Sequence, residues 1–574
     1  MFLLCKVLIF MTIRNYDQYQ CYFKVVNPLD NILDNHPCFI IDAVVESLDF
    51  DEFESSYGDS MGMPIYHRKM LLKIDLMGTI DGILSSRKIC ARLGYDDVYK
   101  FLAGGHKPDF RTLCISRHEN AEKFEEALLK INIIGRTMGI VTLNHISNDG
   151  SYFKGNASTN KLFTEKDMEI IDELIEQRYN VDRDENLLYG DKNYGIVEED
   201  FYNTIQELIN GDIVENTMEL IKKDKSDKEV EKKVIKTVEK KIKKPKLKRI
   251  SKKNKNVAKK AIEGDKSTLK KIKTVKKKLK EKWQDKVNMT DPDTFAGKNK
   301  QGVFQSLYNI IFAVDYDSKF ILTNNMSDSY VDTNQLVPML KKLKSVDLIK
   351  ENSIVSADCI FNTIEALEYM DNENINGLIP EKYDSSVSKN KDYEAENEFH
   401  KHNFHYNSVK DSFICPEGKI LPFKNKYKDG RRVYYTNECK NCHVKEKCAK
   451  NQNTRVITAY KGDYYKQKMK TKMQNPDNQK EYKKRSSSAE SPLGDIKHNN
   501  KLIEFTVRGG DKVLAESFKF SISHNVRTLA KALTEKGLNV RKVMKDIIKD
   551  LKNISLSGIF HEIFNQIHIV IIYR

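Results

Sequence analysis

The sequence predicts an α/β chain, a mixed sheet flanked by helices, that follows an all-helical unit and is interrupted by two insertions. Three observations predict it. Residues 30 to 135 carry only helical periodicity, and after them short apolar runs alternate with helical ones. Two later stretches, one crowded with lysine and one with cysteine, fit neither pattern.

In the helical unit, Ile40 to Leu48, Lys69 to Leu84, Arg87 to Leu93, Tyr95 to Leu102 and Ala121 to Ile131 place apolar residues three and four apart. Gly94, Gly104, Gly105 and Lys107-Pro108 punctuate them. Arg87 and Lys88 open one helix and Arg111 and Arg117 lie nearby, so these cations form either a solvated face or a helix laid against a duplex. Val141 to Ser147 then reads as a short strand, and Asn148-Asp149-Gly150 ends it with turn chemistry, which puts Asp149 where a sheet opens to solvent. Glu165 to Arg178 and Glu198 to Leu208 are amphipathic helices. Beyond Met289, Leu307 to Val314 and Phe320 to Thr323 are paired strands, and Thr333 to Leu343 is a helix. Ser353 to Ala357 is a buried strand ending at Asp358, Ile364 to Met370 a helix, and Asn376 to Pro380 a last short strand. That order of elements is the order of the RNase H-like fold, and it makes Asp149 and Asp358 the ends of neighbouring strands.

A chain of 574 residues is long enough for two to four domains. Its net charge of +15 is not evenly spread. Ile221 to Lys286 holds 29 Lys and Arg against 9 Asp and Glu, so this tract carries +20 and the remainder −5. With Val and Ile at irregular intervals and Pro245 as a breaker, the tract is expected to be partly helical at most and largely disordered. Its charge suits sequence-independent, salt-sensitive binding to phosphates. The opening MFLLCKVLIFMTIR is apolar but too short to span a bilayer and is interrupted by Lys6, so a soluble, cytoplasmic protein with no membrane partner is expected. Six scattered cysteines and four clustered ones do not make a secreted disulfide framework, and they fit a reduced compartment. The four are Cys415, Cys439, Cys442 and Cys448, spaced C-x23-C-x2-C-x5-C, a pattern suited to a closed tetrahedral Zn2+ site that folds the insertion; His405 or His443 could replace a thiol.

The stretch Leu143 to Ser158 resembles the first catalytic block of DDE transposases of bacterial and archaeal insertion sequences. The resemblance continues in order: at Thr290 to Asp293, Tyr308-Asn309, Ala313 to Asp315, Gln335 to Leu340 and Ala357-Asp358. It goes on at the cysteine cluster, at Ala489 to Gly494, and at Thr506 to Gly510. It implies that Asp149, Asp358 and Glu490 are the catalytic acids and hold Mg2+ (or Mn2+), with Glu490 on a helix facing the sheet. Phosphodiester chemistry needs this, because a hydroxyl is a poor nucleophile at neutral pH and three close carboxylates repel each other without metal. The implied reaction is hydrolysis at the ends of a mobile element followed by strand transfer. The implied partners are double-stranded DNA, at element ends and target, and a second copy of the chain as a homodimer on DNA, with nucleoid association when bound. Arg87, Lys88, Arg111, Arg117, Lys154, Lys497 and Arg508 are the candidate DNA contacts. The family shows small residues and then Gly-Tyr after the second acid, where this chain has Cys359, Ile360 and Phe361, and it commonly has His where Ser491 stands. A catalytically decayed or domesticated copy that binds DNA without cutting it is therefore the alternative.

The resulting organisation starts with an apolar leader at 1–21, which a start codon placed too far upstream would explain, and a helical DNA-binding domain at 22–135. The DDE domain begins at 136–220, is broken by the Lys-rich insertion at 221–286, and resumes at 287–380. The cysteine insertion occupies 381–480. The final catalytic helix and the end of the DDE domain take 481–535, and terminal helices 536–574.

Overall fold

A computed structural model describes residues 27–50, 65–119, 121–176, 251–281, 284–299, 301–327, 332–382, 386, 398–407, 409–450, 452–460 and 462–553. The expectations for the apolar leader, for the helix at Glu198 to Leu208, for the tract up to residue 250 and for the chain beyond 553 fall outside the described residues.

The helical unit contains α1 (Cys38–Glu46), α2 (Arg68–Ile80), α3 (Ser86–Arg92), α4 (Asp97–Leu102), α5 (Phe110–Glu119) and α6 (Ala121–Thr137). Their apolar stripes do not close on themselves. Leu72, Ile74, Leu128 and Ile131 share one continuous cluster with Ile146 and Ile311 of the sheet, so the core has no break at residue 135.

Strand β1 (His145–Lys154) is longer than the sequence suggested, and Asp149 lies within it, not at its end. Turn chemistry at Asn148-Asp149-Gly150 loses here because β1 pairs along Ile146 to Lys154 with an antiparallel neighbour, and those backbone groups would otherwise be buried without partners. After β2 (Leu162–Phe163) and α7 (165–176) the Lys-rich tract resumes as α8 (Lys252–Ile262) and α9 (Lys266–Lys280). This half of the tract corrects the expectation of disorder. Asn254, Val257, Ala258 and Ala261, then Thr268, Ile272, Val275 and Leu279, are buried at spacings of three and four. The apolar members pack on Phe163, Met168 and Ile171. Residues that look irregular among the lysines form one helical stripe each. Asp167 accepts from Lys253 and Asn254 and, despite partial burial, its carboxyl is held down at about 2 by these hydrogen bonds and that of Thr164; Asp172 pairs with Lys276 at 2.5 Å.

The sheet is completed by β3 (Val287–Asn288), which pairs β2, and by β4 (Phe295–Lys298), β5 (Phe304–Asp315), β6 (Ile321–Met326), β7 (Ile354–Ala357) and β8 (Asn376–Leu378). Helices α10 (Leu336–Ser345) and α11 (Ile364–Asn372) connect them. The main sheet runs β4-β5-β1-β7-β8, with β6 also on β5. β1, β7 and β8 are parallel, and β5 is antiparallel to its neighbours. Alternation along β5 gives the two faces: Ile311 and Ala313 join the helical-unit core, while Tyr308, Ile310, Phe312 and Val314 join a second one.

The cysteine insertion forms a five-stranded antiparallel meander, β9 (His405–Asn407), β10 (Ser412–Ile414), β11 (Ile420–Lys426), β12 (Arg432–Tyr434) and β13 (Ile457–Ala459), with the short α12 (Lys445–Cys448). Its own core is Phe404, Phe413, Leu421, Tyr434 and Ile457. Helices α13 (Asp463–Gln474), α14 (Pro476–His498), α15 (Gly510–Glu535) and α16 (Val540–Asn553) close the chain. Leu493 and Ile496 of α14 cover the second face of the sheet. The block Asp291-Pro292-Asp293 anchors the start of α15: Gly509 N–H donates to Asp291 (3.2 Å) and Gly510 N–H to Asp293 (2.9 Å), a negative charge at a helix N-terminus. No described helix is long and apolar enough to cross a membrane.

Candidate active site

Asn148 of β1 is level with Ala357 of β7 in the parallel ladder, so the next residues, Asp149 and Asp358, stand side by side. Both are half-buried. Asp358 comes just after its strand ends, and its carboxylate caps the following 3-10 turn by accepting from Cys359 N–H at 2.6 Å. That turn is Cys359-Ile360-Phe361, the segment that departs from the resembling family.

The cation opposite these acids is Arg485 on α14, whose Nη1 is 3.4 Å from Asp149 Oδ1. Burial opposes the guanidinium charge, but Tyr482 and the carboxylates of Asp149 and Asp358 outweigh it and raise its pKa. A further carboxyl, Asp332, lies so close to Gly150 that a Cβ there would meet its Oδ2 at 2.5 Å. Burial pushes Asp332 up; the hydrogen bond from Asn309 opposes this, and the negative charges of Asp149 and Asp358 add to it. Asp149 and Asp358 therefore share the Arg485 guanidinium, and Asp332 adds a third carboxyl beside them. Arg485, Tyr482 and Asp332 were missed in the sequence, where Arg485 sits in the basic run preceding Glu490 and Asp332 looks like a turn residue before α10.

Glu490 is on α14 as expected, but it does not join the pair. At about 100° per residue, Tyr482, Arg485, Leu493 and Ile496 define the inward line of the helix, and Glu490 lies roughly a quarter of a turn around from it. It is exposed. Pro492 lacks the amide that would bond back along the helix, which interrupts the ladder beside Glu490. The far end of the helix is fixed by Asp495, which bonds His524 (2.7 Å) and Arg527 (2.6 Å) of α15 and is held well below the usual carboxylate range by these partners.

The four cysteines line one cavity of about 20 Å³ with Phe404, Leu421 and Arg455. Cys415 follows β10 in a Cys-Pro-Glu-Gly turn with Gly418 at φ +74, and Lys419 N–H donates to Cys415 Sγ at 3.2 Å. Burial, together with the other three thiols nearby, pushes Cys448 up to about 11. All four are free thiols. As they stand, no group of three or more His, Cys, Asp or Glu among the described residues is close enough to hold an ion, at the cysteines or at the acids.

Residues 414–530 match the family described as Transposase DDE domain, and residues 27–119 match Transposase domain (DUF772). These two transposase domains support a DDE-type insertion-sequence transposase. The first match covers the four cysteines and β11 to β13 of the meander, α13, α14 with Glu490 and most of α15, and a DDE domain implies the RNase H-like fold that the mixed sheet displays. Asp149 and Asp358 lie between the two matched stretches. No curated protein and no solved structure matches the chain.

The transposase's candidate DNA contacts fall into two groups. Arg87, Lys88 and Arg111 are exposed on α3 and α5, with the Arg87 guanidinium 4.5 Å over Phe110. The others are engaged within the protein. Arg117 turns inward to pair with Asp75 at 2.6 Å. Lys154 pairs with Glu504 at 2.5 Å, Lys497 donates to Ser151 at 2.7 Å, and Arg508 donates to Asn156 at 2.7 and 3.1 Å.

Proposed function

We propose that this transposase cleaves element ends and transfers strands with Asp149, Asp358 and Glu490 as its catalytic acids. The observation that carries the reading is the adjacency of Asp149 and Asp358 on paired parallel strands, under a helix that belongs to the DDE match. The chemistry of the donor set suits a hard divalent cation: Asp149, Asp358 and Asp332 bring carboxylates near one another, and Arg485 stands against Asp149 where an ion's positive charge would lie, so binding would draw the acids closer than they now stand. Mg2+ or Mn2+ held there by Asp149 and Asp358 would activate a hydroxyl and stabilise the leaving oxygen. Arg485 balances the charge of the two aspartates, and Asp332 fixes the backbone at Gly150 from the side. Glu490 is retained as the third acid by its sequence block. The four thiols of the meander, which line one cavity, would hold Zn2+ as a structural ion that draws them closer than they now stand. The enzyme acts on double-stranded DNA as a homodimer in the cytoplasm, associated with the nucleoid when bound.

Asp149→Asn and Asp358→Asn are each expected to abolish Mg2+-dependent cutting of a duplex bearing the element end while end binding persists. Retained cutting in either variant refutes the assignment. The alternative, a copy that binds but does not cut, is favoured by the outward position of Glu490 and by the Cys359-Ile360-Phe361 turn. In that case the parent protein shifts end DNA in a gel yet leaves it intact in Mg2+ and in Mn2+.

A further inference from the structure

The β11–β12 hairpin of the cysteine meander has a composition that its own fold does not require. From Lys419 to Tyr435 it holds six Lys and Arg and one acid, Asp429. Leu421 and Tyr434 supply its core side. Beyond that core end, Phe423 to Asp429 is an unbroken exposed run, in which Phe423 keeps 38% and Tyr427 48% of its surface in solvent.

The backbone presents this run as a ribbon. Tyr427 N–H donates to Arg431 O at 2.8 Å and Gly430 takes φ +83, closing a tight connection at Asp429-Gly430. The register slips between Phe423 and Asn425, so Lys424 sits in a bulge that re-aims its side chain. Cations lie over rings along the hairpin: Arg432 is 4.7 Å from the Phe423 centroid, Arg431 5.1 Å from Tyr427 and Lys424 5.7 Å from Tyr435. Arg431 pairs with Asp429 and Arg432 with Asp411, which leaves Lys424, Lys426 and Lys428 as the charges directed to solvent.

We infer that this hairpin is a duplex-DNA-binding ribbon. A two-stranded β-ribbon fits the width of the B-DNA major groove, and lysines flanking it reach the phosphates on either side. The exposed rings are separated by charges, so they do not form the contiguous apolar patch that a protein partner would need. The inference rests on the transposase reading for the class of its partner, and it assigns DNA contacts to a surface outside the residues given to chemistry.

The test is binding of the full-length protein to a random-sequence duplex, followed by anisotropy as salt is varied. Lys424→Gln, Lys426→Gln and Lys428→Gln combined should lower affinity at 0.1 M salt by about a hundredfold and flatten the slope of log affinity against log salt by about 2.7, three phosphate contacts at roughly 0.9 each. The three lysines changed to arginine should keep the parent slope, and unchanged circular dichroism shows that the fold survives both sets. A parent slope in the Gln variant overturns the inference and leaves the transposase reading intact. A parent protein that binds no duplex overturns both. Loss of RNA binding in the Gln variant with duplex binding unchanged also overturns the inference.

Discussion

The carboxylate of Asp75 sets how firmly the helical unit is held to the catalytic unit, and removing it has a calculable effect. Asp75 on α2 is 3% exposed at its side chain and pairs with Arg117 of α5 and Lys519 of α15, each at 2.6 Å, with side-chain exposures of 14% and 7%. Burial alone would push the Asp75 carboxyl up, but the two cations outweigh it and hold it below its ordinary value. Asp75→Ala leaves two buried cations without their counter-charge, and breaking a buried pair in this way costs about 3–5 kcal/mol. With an m-value of about 3 kcal/mol/M, the urea midpoint should fall by roughly 1–1.7 M. Changing Asp75 to Leu, Arg117 to Met and Lys519 to Met together should recover most of the loss, because an apolar triad has no charge to desolvate. A depressed folded-state pKa also predicts that the contribution of Asp75 is present above the unfolded carboxyl pKa and is lost as pH falls through the folded one. An Asp75→Ala midpoint within about 0.3 M of the parent would refute the argument, since no buried charge could then have been stranded.

Deleting residues 252–280 should destabilise the fold, because it uncovers Phe163, Met168 and Ile171; thermal unfolding decides, and a midpoint equal to the parent's would contradict the packing. Cys448→Ser should lower zinc content from about one per chain toward zero by elemental analysis and speed amide exchange in β9 to β13. Gly150→Ala should cost about 1–3 kcal/mol in denaturant unfolding and reduce cleavage, because its Cβ would collide with the buried Asp332 carboxyl.

Where residues speak through spacing, the sequence was legible. The helical runs of the first unit, the strands at Leu307 to Val314 and Ser353 to Ala357, and the neighbouring positions of Asp149 and Asp358 all follow from period and order. Two errors have a common cause, namely that local composition was given more weight than what the segment packs against. Asn148-Asp149-Gly150 has turn chemistry but is paired on one side along its whole length by β5. Val257, Ile272, Val275 and Leu279 are diluted among lysines, yet each occupies the one helical line that meets Phe163 and Ile171, while the lysine stems and charges occupy the rest of each turn.

The position of Glu490 shows why a motif could be read and its geometry could not. A block such as Ala489 to Gly494 fixes which residue is acidic, but which direction it faces depends on where the whole helix is anchored. Here the anchors are Leu493 and Ile496 on the sheet and Asp495 on His524 and Arg527, all C-terminal to Glu490, with Arg485 drawn to Asp149 from the other side. Those contacts come from β1, β5 and α15, hundreds of residues away or on a separate helix, and no local pattern encodes them. The guanidinium that holds α14 in this rotation competes for the same carboxylate oxygens as a divalent ion would. Charge neutralisation at Asp149 and the orientation of Glu490 are thus coupled through Arg485, so Arg485→Met should weaken the hold of the sheet on that turn of α14 and change the Mg2+ concentration needed for half-maximal cleavage. An unchanged Mg2+ requirement would show that the rotation of α14 is set by Leu493, Ile496 and Asp495 alone.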